Sequence, residues 1–194
     1  MQNLVRHIGR VTHEDRCKTN GHKSGVLWFT GLSASGKSTL AYALEKMLHE
    51  NGISAYVLDG DNIRHDLCKG LGFSAKDRTE NLRRAAEVAR LMSDAGLIVL
   101  ASFITPERAQ RRMIRELVAP IPFAEVYIKC NLEECINRDP KGHYRKARAG
   151  QIAQYTGLGA PYEPPESPDI TIDTACHTIN QSTAALYHFL QKTL

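Results

Sequence analysis

The chain has 194 residues, of which 42% are hydrophobic and 24% charged, so it is long enough for one globular domain with a substantial core. Its formal net charge of +4 suits an anionic small substrate but is too small to indicate nucleic-acid binding. The longest apolar run, residues 97–104, is far too short to cross a membrane, and the polar N-terminus has no signal-peptide core. The five cysteines are scattered and form no CxxC pair, which favours free thiols in a reducing cytoplasm.

The N-terminal part of the chain is polar and shows no clear periodicity. We predict an irregular N-terminal arm over residues 1–24, followed by a single domain over residues 25–194. Residues 26–30 are apolar, β-branched or aromatic, which predicts a buried strand. Residues 37–50 carry apolar side chains at helical spacing, which predicts an amphipathic helix.

The segment between that strand and that helix, GLSASGKST, fits the phosphate-binding loop pattern. Gly31 and Gly36 allow a tight turn whose N–H groups form an anion cradle. Lys37 can reach the β- and γ-phosphates of a nucleotide, and the Ser38 hydroxyl can bind Mg²⁺. We therefore predict that the whole loop binds ATP, through Gly31, Leu32, Ser33, Ala34, Ser35, Gly36, Lys37, Ser38 and Thr39.

Strands and helices alternate along the rest of the chain. Further strands are predicted at 54–58, 97–103, 123–130 and 170–172, and further helices at 62–69, 75–94, 105–118, 131–138 and 178–194. Thr105 is predicted as the N-cap of its helix, with Pro106 in the first helical position. The alternation predicts an α/β fold of three layers, a central parallel sheet with helices on both faces, and ligands beyond the carboxyl ends of the strands.

One long segment has neither helical nor strand periodicity. Residues 139–168 are rich in Lys, Arg, Gly, Pro and Tyr, and a loop of this length within a compact domain is usually functional. A lid over about residues 138–168 is therefore expected. Clustered basic side chains that close over a γ-phosphate are what phosphoryl transfer requires.

Nucleotide binding alone leaves several protein classes open. A GTPase switch would need an Asn-Lys-x-Asp motif, which this sequence lacks. Asp139-Pro-Lys-Gly142 fits the Asp-x-x-Gly switch pattern, but it follows a predicted helix rather than a strand. Motor and transporter ATPases are larger or carry further signatures. The short chain and its basic lid indicate a small-molecule kinase.

Four segments of the sequence resemble the adenylylsulfate (APS) kinases. They are WFTGLSASGKSTLA, the long stretch from Leu58 to Pro106, RDPKGHYRKARAG, and the PYEPPESP region, and the resemblance runs over about residues 3–174. The resemblance implies a phosphate-loop kinase fold. It also implies transfer of the γ-phosphate of ATP to the 3′-hydroxyl of adenosine 5′-phosphosulfate (APS). The products would be 3′-phosphoadenosine 5′-phosphosulfate (PAPS) and ADP, in sulfate activation.

The resemblance also implies roles for individual residues. Asp61 would orient or deprotonate the 3′-hydroxyl, would reach Mg²⁺ through water beside Ser38, and would be catalytic together with Lys37. Arg138 would lie against the adenine of ATP. The APS site would comprise Asp61, Arg64, Phe73, Arg78, Asn81, Ile104, Lys141 and Tyr155, with Arg64, Arg78 and Asn81 on the phosphosulfate and Phe73 and Tyr155 stacked on the adenine.

Taken without the resemblance, several of these residues have structural alternatives. Asp61 also fits a turn or an N-cap, Arg78 a solvated helix charge, and Phe73 and Ile104 core positions. Many family members carry Ser at the Thr105 position, where a phosphorylated intermediate is sometimes proposed. For Thr105 we favour the N-cap role and direct transfer.

One departure from the family pattern lies after the fourth predicted strand. The family commonly has Asp and Pro where this chain has Lys129-Cys130-Asn131, so a positive charge replaces a negative one near the nucleotide edge.

The expected cofactor is Mg²⁺ with ATP as co-substrate, and the expected assembly is a homodimer with a functional link to ATP sulfurylase. Neither nucleic acid nor a membrane is expected as a partner. Two other functions stay open from sequence: a phosphate-loop kinase for another hydroxyl substrate, and a catalytically silent nucleotide-binding module. The acceptor-site residues argue against the first, and intact Lys37, Ser38 and Asp61 against the second.

Overall fold

The computed structural model describes residues 5, 7, 9–152 and 154–194, and within them five parallel strands form one sheet. The strands are β1 (Gly25–Thr30), β2 (Ala55–Asp59), β3 (Ile98–Ser102), β4 (Phe123–Lys129) and β5 (Ile170–Asp173), in the order β2-β3-β1-β4-β5. Ser102 is in register with Phe29 of β1 and with Asp59 of β2. The carboxyl ends of these three strands therefore meet at one edge of the sheet.

Helices cover both faces of this sheet. They are α1 (His13–Asn20), α2 (Lys37–Glu50), α3 (Asn62–His65), α4 (Ala75–Asp94), α5 (Arg108–Val118), α6 (Leu132–Arg138), α7 (His143–Arg148) and α8 (Ile179–Thr193). Helices α2 and α8 pack together on one face, and α4 and α5 on the other. The predicted three-layer α/β fold is confirmed.

Strand β1 is the centre of the core because all six of its residues are buried. Its side chains alternate between the faces: Phe29 packs in the cluster with Leu44 and Leu186, and Trp28 packs in the cluster with Ala85 and Ile114. A parallel strand buried on both faces reads as a continuous apolar run, which is why the sequence predicted it correctly. The strand leads straight into the phosphate-loop motif, whose position it fixes.

The prediction of an irregular N-terminal arm was wrong for residues 13–20, which form helix α1, while residues 1–4, 6 and 8 of that arm lie outside the described residues. Thr12 caps this helix: its hydroxyl accepts from the N–H of Asp15, and the Asp15 carboxylate accepts from the N–H of Thr12. Helix α1 has no buried residue, so its sequence lacks the apolar periodicity that would have predicted a helix. An ion pair of 2.8 Å between Arg16 and Asp94 ties it to the end of α4.

Three further helix predictions need correction. The segment predicted as an irregular lid contains helix α7, which buries Tyr144. Helix α3 ends at His65, four residues earlier than predicted. Helix α5 begins at Arg108 with Glu107 as its N-cap, so the N-cap prediction for Thr105 was wrong. No helix in the described part of the chain is long and apolar enough to cross a bilayer.

Candidate active site

A cavity of about 1010 Å³ opens at the carboxyl edge of β1, β2 and β3. This volume lies at the upper end of the range for small-molecule sites. The phosphate-loop segment, the turn after β2, the N-terminal half of α4, the segment after β3 and the lid all contribute to its walls. Every residue predicted for the site lines this cavity except Gly31, Leu32 and Ser35.

Those three residues belong to the phosphate loop but lie on its side away from the cavity. Gly31 has a φ of 153°, and a Cβ there would lie 2.5 Å from the carbonyl oxygen of Ile128, so only glycine fits. Leu32 packs in a small cluster with Tyr144 of the lid helix. Ser35 is fully buried. Gly31 and Ser35 thus contribute to the cradle through their backbone, whereas the Leu32 side chain packs behind it against Tyr144.

The side chain of Lys37 folds back over the phosphate loop. Its Nζ donates to the carbonyl of Leu32 at 2.6 Å, and burial lowers the pKa of Lys37 to about 8. A polyphosphate in the cradle would supply the anionic partner that the buried ammonium lacks. This arrangement would place the Lys37 ammonium group against the β- and γ-phosphates of a bound nucleotide.

The carboxylate beside Ser38 belongs to Asp59, a residue that the sequence prediction did not select. Ser38 Oγ donates to Asp59 Oδ2 at 2.6 Å and lies 3.2 Å from Ser102 Oγ, while Asp59 Oδ1 accepts from the N–H of Asp61. Hydroxyl and carboxylate oxygens are the donors that Mg²⁺ prefers, and this ion usually takes few ligands from the protein beside nucleotide phosphates. The oxygen atoms present here therefore fit Mg²⁺. Asp59 could have been found as the acidic residue that ends a buried strand.

Asp61 faces the lid across the cavity. Its carboxylate accepts a hydrogen bond from Nζ of Lys141, and both side chains are more than half exposed. Burial raises the pKa of Asp61, but the hydrogen bond and the charge of Lys141 outweigh it and bring the pKa below its ordinary value. Asp61 is thus ionised at neutral pH. Asp61 does occupy the N-cap position of α3, but its side chain makes no cap hydrogen bond there, so its carboxylate stays directed to the cavity contacts.

Two arginines and an aromatic ring form the wall opposite the phosphate loop. The guanidinium of Arg64 lies 4.6 Å from the centroid of the Phe73 ring, which is 70% exposed, so the core alternative for Phe73 is excluded. Arg78 donates to the carbonyl of Gln154 at 2.9 Å and to Thr156 Oγ1 at 3.3 Å. Arg78 therefore links α4 to the lid.

Asn81 is 3% exposed, yet its Nδ2 has no hydrogen-bond partner among the described residues. A buried amide without a partner is costly, and such groups are rare in native proteins. Asn81 lines the cavity, so an oxygen of a bound molecule could satisfy it. This is the clearest sign in the structure of a polar ligand on the side of the cavity away from the loop.

Three further predicted residues, Tyr155, Ile104 and Thr105, lie next to aromatic side chains. The Tyr155 ring packs edge-on to Tyr144 at 5.1 Å between centroids, and Ile104 follows Phe103, which stacks on Trp28. Thr105 has a φ of 44°, and its buried hydroxyl accepts from Trp28 Nε1 at 2.9 Å. A buried indole N–H needs an acceptor, and Thr105 supplies it instead of capping α5.

Arg138 lies at the other end of the cavity. Its guanidinium donates to the carbonyl and the hydroxyl of Thr174, at 2.8 and 3.1 Å, and to Glu134 at 2.9 Å. Nearby, Lys129 forms an ion pair of 2.9 Å with Asp173, so the positive charge that departs from the family pattern is balanced locally.

A phosphate cradle, an acidic cluster at the strand ends and a basic lid around one cavity define a phosphate-loop kinase with room for an acceptor beside the nucleotide. The sequence family described as adenylylsulphate kinase matches residues 23–173. The chain therefore belongs to the adenylylsulphate kinase family.

Individual relatives extend this match over nearly the whole chain. An adenylyl-sulfate kinase from Staphylococcus epidermidis is 53% identical over 186 residues, which are 96% of this chain and 94% of that protein. The Mycobacterium tuberculosis APS kinase, solved in complex with AMPPNP and APS, has a TM-score of 0.85 at 46% identity and covers 87% of this chain and 98% of that chain. A hexameric APS kinase from Thiobacillus denitrificans has a TM-score of 0.66 at 31% identity and covers 88% of this chain and 29% of that chain.

Proposed function

We infer that this chain is an adenylylsulfate kinase, which transfers the γ-phosphate of ATP to the 3′-hydroxyl of APS and releases PAPS and ADP. The observation that carries this inference is the two-sided cavity, with the phosphate loop on one wall and Arg64, Phe73, Arg78 and Asn81 on the other. Membership of the family and similarity to a relative solved with AMPPNP and APS support the same activity.

In the ATP half, we assign the phosphates to the loop N–H groups and to Lys37. Arg138 would lie against the adenine. Ser38 and Asp59 would hold Mg²⁺, with Asp61 close enough to reach it through water, and the bound ion neutralises charge on the phosphates. The 2.6 Å hydrogen bond between Ser38 and Asp59 supports this assignment because it places a hydroxyl and a carboxylate oxygen side by side at the cavity wall.

In the acceptor half, we assign the phosphosulfate to Arg64, Arg78 and Asn81. Guanidinium groups offer forked donors to such oxyanions, and the partnerless Nδ2 of Asn81 would gain the acceptor it lacks. The adenine of APS would stack between Phe73 and Tyr155, beside Ile104. The Phe73 ring supports this role because it is 70% exposed beside the Arg64 guanidinium.

Asp61 orients the 3′-hydroxyl and accepts its proton as the new O–P bond forms and the bond from the γ-phosphorus to the ADP oxygen breaks. Lys141, which pairs with Asp61 in the absence of ligands, would follow the phosphates when ATP binds. The buried Thr105 hydroxyl is engaged by Trp28, which favours direct transfer over a Thr105 phosphoenzyme. Closure of the lid would exclude water and so limit ATP hydrolysis.

The test is ADP release from Mg-ATP with different acceptors: APS, AMP, adenosine and gluconate. We expect turnover that depends on APS, and little with AMP, which lacks the sulfate that Arg64 and Arg78 are placed to bind. Equal turnover with gluconate would identify a kinase for another hydroxyl substrate. Nucleotide binding without turnover on any acceptor would identify a silent module.

Replacing Phe73 by Ala should raise KM for APS and leave KM for ATP unchanged. Stacking of a base on an aromatic ring contributes about 1–3 kcal/mol, which corresponds to a rise of roughly 5- to 150-fold. Steady-state kinetics with each substrate varied in turn would measure it. Tyr56→Ala removes an exposed aromatic on β2 outside the cavity and serves as the control. Equal effects of both variants on KM for APS would refute the stacking role.

We further propose that the enzyme is a cytosolic homodimer, as is common in the family, and that it works beside an ATP sulfurylase. Its substrate must come from a reaction that joins sulfate to the AMP part of ATP, which is the reason for this link. Sedimentation velocity would give the oligomeric state: a single species of twice the chain mass is expected, and a monomer would contradict the dimer.

A further inference from the structure

Thr174 connects three parts of the ATP half of the cavity. It directly follows β5, and its N–H donates to the carbonyl of Lys129 at the end of β4 at 3.0 Å. Its hydroxyl donates to the carbonyl of Ser35, within the phosphate loop, at 2.8 Å. Its carbonyl and hydroxyl oxygens both accept from the guanidinium of Arg138. Its methyl group faces Gly36, where an added Cβ would lie 3.5 Å away.

The hydrogen bonds of this hydroxyl have a fixed direction. A threonine hydroxyl has one proton, and the carbonyl of Ser35 at 2.8 Å is a much better acceptor than that of Lys129 at 3.5 Å. The lone pairs are then free to accept from Arg138, which can only donate. A continuous path therefore leads from Arg138 through Thr174 to the backbone of the phosphate loop.

We propose that Thr174 is a positioning residue for ATP, whose hydroxyl sets the place of Arg138 relative to the phosphate loop. In the proposed function the guanidinium lies against the adenine and the loop holds the phosphates, so their separation must match the length of ATP. Thr174 is held by the ends of two neighbouring strands, β4 and β5. It can therefore fix the positions of both the Arg138 guanidinium and the phosphate loop. The proposal rests on the proposed function in requiring that the cavity bind ATP with its adenine against Arg138.

Thr174→Val keeps the shape of the side chain and removes the hydroxyl. We expect the Kd for AMPPNP with Mg²⁺, measured by calorimetry without APS, to rise about ten-fold, because Arg138 loses a charge-assisted hydrogen bond and the Ser35 carbonyl loses its donor. KM for ATP should rise in parallel, with KM for APS and kcat within about two-fold. Thr174→Ala, which cannot overpack, should act like Val, and Thr174→Ser should stay within about three-fold of the parent. Thr171→Val, at an exposed position of β5, is the matched control and should have no effect.

A double-mutant cycle with Arg138→Met tests whether Thr174 acts through Arg138. In the Arg138→Met background, Thr174→Val should weaken AMPPNP binding by less than about three-fold, since the coupling is already lost. Full additivity of the two changes would overturn the proposal. So would unchanged AMPPNP binding by Thr174→Val, or equal weakening by Ser and Val. Because AMPPNP binding needs no acceptor, a failure of APS turnover would leave this test intact.

Discussion

Replacing Asp61 by Asn should lower kcat by about 10²- to 10⁴-fold and leave AMPPNP binding nearly unchanged. The substitution keeps the size of the side chain but removes the negative charge that orients the 3′-hydroxyl and accepts its proton. The partner of Asp61 is Lys141 of the lid. In the phosphate loop, Lys37 is held by the carbonyl of Leu32 and does not depend on Asp61 for its position. The loss should therefore fall on the chemical step, measured as kcat at saturating ATP and APS.

The matched control for this prediction is Asp66→Asn, five residues later. Asp66 is exposed at the end of α3 and does not line the cavity, so its kcat should stay within about two-fold of the parent. If Asp61→Asn retained more than a tenth of the parent kcat, Asp61 would not be the proton acceptor. A loss confined to KM for ATP would leave Asp61 with only its water-mediated role at the metal.

Replacing Arg111 by Met should lower the free energy of unfolding by about 3–5 kcal/mol. Arg111 is 4% exposed and forms an ion pair of 2.8 Å with Glu125, and it donates to the carbonyls of Thr105 and Glu163 at 2.7 Å each. Methionine fills much of the same space but leaves the carboxylate and both carbonyls without their partner. Urea denaturation monitored by fluorescence of Trp28 would measure the change.

The pH dependence of this loss has a definite sign. Burial raises the pKa of Glu125 above its ordinary value, even against the charge of Arg111. In Arg111→Met that charge is gone, so the folded-state pKa rises further above that of the unfolded chain. The penalty is then complete above the folded-state pKa and shrinks at lower pH, as Glu125 takes up a proton.

Two variants control the Arg111 experiment. Arg112→Met changes an exposed arginine on the same helix and should alter stability by no more than about 0.5 kcal/mol. Glu125→Gln added to Arg111→Met should restore part of the loss, because it removes the unpaired charge. A loss for Arg111→Met as small as that for Arg112→Met would show that the buried pair does not stabilise the fold.

The sequence predicted the sheet and its long helices because burial left clear periodicity. Helix α4 is an example: Leu82, Ala85, Ala86 and Ala89 are buried at helical spacing, beside two buried polar residues, Asn81 and Ser93. Helix α1 has no buried residue and its cap uses Asp15 in place of the usual Glu or Gln, so its signal was too weak to see. Helix α7 is anchored by one side chain, Tyr144, which gives no period at all.

The site was predicted less completely because side-chain pairing is not periodic. Thr-Pro-Glu before a basic helix favours an N-cap at Thr105, but the indole of Trp28, distant in sequence, takes up that hydroxyl. Asp59 ends β2 and Asp61 follows two residues later, so the sequence alone gives no reason to place one rather than the other beside Ser38. Only the structure shows that Asp59 meets Ser38 while Asp61 meets Lys141. The same holds for Thr174, whose partners lie 36 and 139 positions away along the chain.

The most direct test of the central claim is to follow the γ-phosphate itself. ATP labelled with radioactive phosphorus in its γ-phosphate would be incubated with the enzyme, Mg²⁺ and APS, and the products separated. We predict a labelled product one phosphate group heavier than APS, whose label a 3′-nucleotidase releases. Label found only in inorganic phosphate, or in a product that the 3′-nucleotidase leaves intact, would contradict the assignment of this chain as an APS 3′-kinase.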